Sequence, residues 1–255
     1  MRKIVKTCIN LYVFKARVDF ETEDGAAQGE AAVTTHNGLQ QASFTYSHFS
    51  DAGHVASSFA FPHLEVLHAH FNGGRVTCPN PAELVRPIAQ NMTALSLNPA
   101  TLPQDVFVSL LRNIPSLVQL CLNEPSTYDE ESKSSAMKAR YDDTLLAHLT
   151  LAVGGVGNPR PCPKLQYLKC ERYTAKFSDN ALVGFISARG SYPESGPLPM
   201  RQVHIHFDRR KGLDIAERCA GCIALGLDLK LRYVSESPYD IEYCSGWFSQ
   251  EDCLA

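Results

Sequence analysis

The groups in this chain able to do chemistry are cysteines and histidines at short spacings. Cys219-Ala220-Gly221-Cys222 has the Cys-x-x-Cys spacing of redox and metal motifs. A thioredoxin-type site needs that motif at a helix N-terminus after a strand, where the helix dipole lowers the thiol pKa. Here it follows Leu213-Asp214-Ile215-Ala216-Glu217-Arg218, inside a helical pattern, and the second pair that a zinc site would want is missing. The two cysteines are expected to pack against a neighbouring element, with a thiol or metal site at Cys219 and Cys222 as the alternative. His68 with His70, and His204 with His206, are i,i+2 pairs, so on strands each pair points to one face. Four strand spacings of about 4.8 Å would hold the pairs about 19 Å apart, too far to share a metal. Histidines on a sheet face are expected rather than ligands. Ala152-Val153-Gly154-Gly155-Val156-Gly157-Asn158-Pro159 lacks Gly-Lys-Ser/Thr and follows a helical pattern, so it reads as a helix stop and loop. Asn91-Met92-Thr93 matches a glycosylation sequon, with Met92 assigned to the core. No Gly-x-Ser-x-Gly or His-Glu-x-x-His occurs. No catalytic residue, metal or cofactor is expected.

A recurring phrase must position these groups. Phe61-Pro62-His63-Leu64-Glu65-Val66-Leu67, Ile114-Pro115-Ser116-Leu117-Val118-Gln119-Leu120 and Cys162-Pro163-Lys164-Leu165-Gln166-Tyr167-Leu168 each read apolar-Pro-x-Leu-x-x-Leu. Ala69, Leu122 and Cys170 extend them into the Leu-x-x-Leu-x-Leu of a leucine-rich repeat. Further copies are Leu39/Ala42/Phe44, Met92/Leu95/Leu97, Met200/Val203/Ile205 and Ala224/Leu227/Leu229, with Ile9/Tyr12/Phe14 the least regular. The first positions, 9, 39, 64, 92, 117, 165, 200 and 224, step by 30, 25, 28, 25, 48, 35 and 24 residues, four of them within the repeat range. The long steps hold polar, breaker-rich insertions at about 124–140 and 190–199. Helical patterns follow Leu102-Pro103-Gln104-Asp105, run from Asp142 to Val153, start at the capping Ser178, and cover Leu213 to Leu225. The turn Asn of the consensus occurs only as Asn72.

The expected fold is α/β: an irregular leucine-rich-repeat solenoid with parallel strands on the concave face and helices outside. Residues 1–60 would form an N-terminal cap or irregular early repeats, 61–234 the solenoid, and 235–255 a C-terminal tail. The x positions then line the concave face: Glu65, Val66, His68, His70, Thr93, Ser96, Val118, Gln119, Cys121, Gln166, Tyr167, Lys169, Glu171, Gln202, His204, His206, Asp228 and Lys230. That face reads as polar and mixed in charge, which suits a protein partner.

Composition agrees. With 255 residues, 44% hydrophobic and 20% charged, the chain is globular rather than disordered. Its 24 Lys and Arg against 27 Asp and Glu give a charge of −3, which argues against nucleic acid and against an anionic membrane surface as partners. The odd count of nine cysteines and the charges at Lys15, Arg17 and Asp19, which interrupt the first apolar run, lead to the expectation of reduced thiols. The expected compartment is cytoplasmic and/or nuclear, not secreted, with no membrane span.

The phrase Cys162–Leu168 is followed by Phe177-Ser178-Asp179-Asn180-Ala181-Leu182. Gln202-Val203-His204-Ile205-His206-Phe207-Asp208-Arg209, Leu213-Asp214-Ile215, Leu225-Gly226-Leu227 and Ser245-x-Trp247 come after it. In these blocks the chain resembles the leucine-rich-repeat region of fungal F-box proteins, from about Phe61 to Trp247. The resemblance implies that the repeats bind a protein substrate on the concave face, as in the substrate receptor of a cullin-type ubiquitin ligase. A Skp-type adaptor is implied as partner only where an F-box lies upstream of Met1 or is hidden. The first 60 residues hold no Leu-Pro-x-Glu-aliphatic opening. The internal Leu102-Pro103-Gln104-Asp105-Val106-Phe107 reads as an outer helix, because Ile114-Pro115-Ser116-Leu117 restarts the repeat on schedule. The alternative reading is an F-box-less adaptor, or a degenerate remnant with no ligase role.

Overall fold

The apolar-Pro-x-Leu phrase forms a β-turn that launches a strand. In the computed structural model, Leu64 N–H donates to the Phe61 carbonyl (3.1 Å), Leu117 to Ile114 (3.2 Å) and Leu165 to Cys162 (3.1 Å). Proline sits at the second turn position, where its fixed φ is already that of the turn. The flanking apolar residues, at most 2% exposed, pin each turn to the core. The structure describes residues 8, 10–18, 33–46, 55, 58–71, 91–97, 104–123, 142–150, 161–190, 199–207 and 209–233. The 124–140 insertion, the glycine-rich loop at 152–159, Asn72, Leu102, Pro103, most of 190–199 and the tail from 234 lie outside that set.

Each turn feeds one strand of an eight-stranded parallel sheet whose strands lie side by side in chain order. They are β1 (Val13–Val18), β3 (Gln41–Tyr46), β5 (Val66–Phe71), β6 (Ala94–Leu97), β7 (Gln119–Leu122), β8 (Tyr167–Ala175), β9 (Gln202–Phe207) and β10 (Asp228–Arg232). β2 (Thr34–Thr35) and β4 (Phe59–Ala60) form a separate parallel pair. The fold class is therefore α/β with a parallel sheet, and two of the eight strands come from the first sixty residues.

A single hydrogen-bond device repeats ahead of the strands. The carbonyls of Tyr12, Gln40, Glu65, Thr93, Val118 and Gln166 each accept two successive amides from the next phrase, at 2.8–3.1 Å, and the Arg201 carbonyl accepts the amide of Asp228 at 2.8 Å. Val13, Gln41, Val66, Ala94, Gln119, Tyr167, Gln202 and Asp228 consequently form one row across the sheet. Their steps are 28, 25, 28, 25, 48, 35 and 26 residues.

This register corrects the expected one at both ends. Leu11, Phe14 and Ala16 take the places assigned to Ile9, Tyr12 and Phe14, because the Tyr12 carbonyl belongs to the acceptor row and its ring stands 60% exposed. Gly226, Leu229 and Leu231 take those assigned to Ala224, Leu227 and Leu229. Ala224 is still helical, and the helix ends in a Schellman motif: Gly226 N–H donates to Ile223 (2.9 Å) and Leu227 N–H to Cys222 (3.1 Å). Gly226 supplies the φ of +102° that this cap requires. Both slips are of two residues, so every side chain keeps its face.

The helices pack on one face of the sheet: α1 (Gln104–Arg112), α2 (Asp143–Thr150), α3 (Asp179–Gly190), α4 (Ile215–Arg218) and α5 (Ala220–Ala224). Phe107, Leu110 and Leu111 of α1, Leu145, Leu146 and Leu149 of α2, and Leu182, Phe185 and Ile186 of α3 share one core with the inward strand side chains. α1 therefore spends its apolar stripe on the core. Ser178 caps α3, its hydroxyl accepting the Ala181 amide at 3.2 Å. The one helix expected over Leu213–Leu225 is two short ones that meet at Cys219 (φ −100°, ψ 13°), where Gly221 also weakens helix propensity. Arg189, wholly buried at the end of α3, ties helix to turn: its guanidinium donates to the carbonyls of Leu149 (3.0 and 3.2 Å), Leu165 (2.9 Å) and Cys162 (3.0 Å). Among the described residues no helix is long and apolar enough to cross a membrane.

Candidate recognition face

The face opposite the helices carries the alternate side chains of every strand, and the register arranges them in bands. The first band, at the start of the strands, is Val13, Gln41, Val66, Ala94, Gln119, Tyr167, Gln202 and Asp228, all at least partly open to solvent. Glu65 stands exposed just ahead of it. The central band is Lys15, Ser43, His68, Ser96, Cys121, Lys169, His204 and Lys230. From Ser43 to His204 this band is nearly shut off from water: His68 is 8% exposed, Ser96 3%, Cys121 1%, Lys169 4% and His204 6%. A third band holds Arg17, Thr45, His70, His206 and Arg232. Glu171 belongs to β8 by its backbone, and its side chain lies outside the described set.

The expected face residues thus fall on one side of the sheet without forming one site. The two histidine pairs are separated by four strand spacings, from β5 to β9. At the β9–β10 edge the groups do meet. The Asp228 carboxylate accepts from His204 Nε2 (2.8 Å), Gln202 Nε2 (3.0 Å) and Lys230 Nζ (3.3 Å), all on Oδ2. Burial alone would raise Asp228, but these donors hold it below the ordinary carboxylate range. Burial lowers His204 despite the opposing hydrogen bond and charge of Asp228. His206 is lowered by burial and then by Arg232 and His204. His68 is pushed down to about 4, chiefly by burial and further by His70 and Lys15. In mid-sheet, Asn123 Nδ2 donates to Ser96 Oγ (3.0 Å) and the Cys121 thiol to Asn123 Oδ1 (3.1 Å), a link between β6 and the end of β7.

Sequence reasoning missed Lys15, Arg17 and Arg232. Reading Leu11 as the first repeat position would have placed the first two in the central and third bands. With them the described face carries the cations Lys15, Arg17, Lys169, Lys230 and Arg232 alongside the carboxylates of Asp228 and, just ahead of the first band, Glu65.

The cysteine pair has the environment of packing residues. Cys219 is 1% exposed, and burial, then Cys222, push its thiol up, away from the thiolate a redox site needs. Cys222 lies against α3, where a Cβ on Gly190 would come within 2.5 Å of its sulfur. Among the described residues no group of three His, Cys, Asp or Glu could hold a metal ion. In the sequon, Asn91 donates to the Pro62 carbonyl (2.7 Å) and Met92 is fully buried. No family model matches the chain, and no curated protein is significantly similar to it.

Proposed function

We propose that this chain is an irregular leucine-rich-repeat solenoid that recognises a protein partner on its open sheet face and performs no chemistry of its own. The observation that carries the reading is the row from Val13 to Asp228. Parallel strands follow one another in chain order at steps of 25–28 residues wherever no insertion intervenes, all launched by one turn-and-carbonyl device. A sheet built this way exposes one long polar face. The partner meets its first band, at Glu65, Gln119, Tyr167 and Asp228, because the central band is shielded. By resemblance to fungal F-box proteins, the role is substrate recognition for a cullin-type ubiquitin ligase.

The apolar stripe of α1 is committed to the core, and this favours a recognition module over a receptor that docks a Skp-type adaptor through that segment. The proposed compartment is cytoplasmic and/or nuclear. A photo-crosslinking residue at Gln119 or Tyr167, introduced into the full chain in its own cells, is expected to capture a defined protein that the same residue at Ser187, on α3, does not. Equal capture from both positions, or from Ser187 alone, would refute the reading. Co-purification with the Skp-type adaptor then separates ligase receptor from free adaptor.

A further inference from the structure

An Asn-Gly dipeptide is open to attack by its own backbone. Glycine has no Cβ to hinder its amide nitrogen as that nitrogen closes on the asparagine side-chain carbonyl. Asn37-Gly38 forms the turn between β2 and β3. Asn37 is exposed, and among the described residues no hydrogen bond holds its side-chain amide. Its surroundings are fixed. His36, 4% exposed, donates its backbone N–H to the Ala60 carbonyl (3.0 Å), Leu39 is fully buried, and Gln40 N–H donates to the Tyr12 carbonyl (3.0 Å). The His36 ring lies against the same turn: Nε2 is 2.8 Å from the Cys8 carbonyl, and Nδ1 accepts the Gly38 amide at 3.2 Å. A carbonyl only accepts, so Nε2 carries the ring proton and Nδ1 presents its lone pair to the Gly38 N–H.

We propose that Asn37-Gly38 is a self-modification site, at which His36 acts as the base that converts Asn37 to aspartate and isoaspartate. The geometry is that of general base catalysis. A ring nitrogen touches the proton to be removed, and the opposite nitrogen is oriented by an acceptor that also steadies the imidazolium once it forms. Nδ1 takes the Gly38 amide proton as the Gly38 nitrogen bonds to Asn37 Cγ. The Cγ–Nδ2 bond then breaks, and the proton passes from His36 to the departing nitrogen, which leaves as ammonia. Water opens the resulting succinimide at either of its carbonyls. The net change is water in and ammonia out, with no oxidant, reductant or cofactor. The product gains a carboxylate. As isoaspartate it also carries an extra backbone carbon just ahead of Leu39, where β3 takes its place beside β1 on the Tyr12 carbonyl. The inference stands on this turn and its hydrogen bonds and does not depend on the protein-binding reading.

Incubating the full chain at neutral pH in heavy-oxygen water, with peptide mass spectrometry of residue 37 over time, tests this directly. The reference is the same chain unfolded in guanidinium chloride, where the Asn-Gly dipeptide persists and the His36 contact does not. Folded Asn37 is expected to convert at least about tenfold faster than unfolded Asn37, whereas a fold that only restrained the turn would slow it. His36→Gln keeps a donor for the Cys8 carbonyl but supplies no base, and should bring the folded rate down to the unfolded one. Conversion in the folded chain that equals or lags the unfolded rate would overturn the proposal, as would a His36→Gln rate equal to that of the wild type. The wild-type comparison requires no variant to fold.

Discussion

Two rows one residue apart in every strand are almost equally shielded from water, yet their chemistry is opposite. Leu67, Leu95, Leu120, Leu168 and Val203 are 0–7% exposed and face the helices; His68, Ser96, Cys121, Lys169 and His204 are 1–8% exposed and face away from them. The first row is what the hydrophobic effect selects by itself. The second is the informative one, since buried polar and ionisable groups persist only where partners satisfy them. Equal burial therefore means different things on the two faces. One row stabilises by leaving water, whereas the other is held by hydrogen bonds such as those of Ser96, Cys121 and His204 and can be undone by protons.

The strongest way to break the comparison is on the apolar side. Leu120→Asp or Leu168→Asp puts a carboxylate among fully buried hydrocarbon, and the loss should exceed about 4 kcal/mol and abolish the cooperative transition in urea. Gln119→Ala, one residue away on the open face, should cost less than about 0.5 kcal/mol. Similar losses at both positions would mean the faces are misassigned. Arg189 is the polar extreme on the helix side. Arg189→Met leaves the carbonyls of Leu149, Leu165 and Cys162 buried without their donors, and urea unfolding should show a loss of about 3 kcal/mol.

The polar row predicts acid sensitivity. His68 is held near 4 in the folded chain against 6.5 when exposed, so below pH 6.5 the unfolded state binds a proton the folded state refuses. Stability is then full above about 6.5 and falls as pH drops toward 4, by up to about 3 kcal/mol from this group at 1.36 kcal/mol per pKa unit. His204 and His206, lowered too, act in the same direction. Asp228 and Asp179, whose folded values are also depressed, remove further stability as pH falls through their own range. Thermal unfolding from pH 7.5 to 4.5 should show this slope, and His68→Gln should flatten it. The smallest effect belongs to the last cap, where Gly226→Ala, at φ +102°, should cost about 1 kcal/mol while His204 keeps its contact with Asp228.

Much of this architecture could be read from the residues. Pro62, Pro115 and Pro163 mark their turns by fixing φ, and the apolar residues around them mark strand starts and the inward face. The ends were harder to read, for a physical reason: a period of two is blind to a two-residue slip. Gly226, read as an unassigned x, is a helix cap that delays β10. The site was less legible than the fold. Alternation told which side His68, His204 and Lys230 take, but not that Asp228 serves His204, Gln202 and Lys230 together. That contact depends on the shifted β10 register, which puts Asp228 opposite Gln202 and Lys230 opposite His204. Nor could spacing tell that a polar row would be shielded, because shielding comes from packing beyond the strand itself.

The most direct test of the account is an NMR titration of the histidine rings in the full chain. The account predicts that the His68 ring stays neutral until the pH approaches about 4, with His204 and His206 also titrating below 6.5. A His68 ring that takes up its proton near 6.5 in the folded chain would show that the central band is open to water, and would contradict the two-row description at its centre.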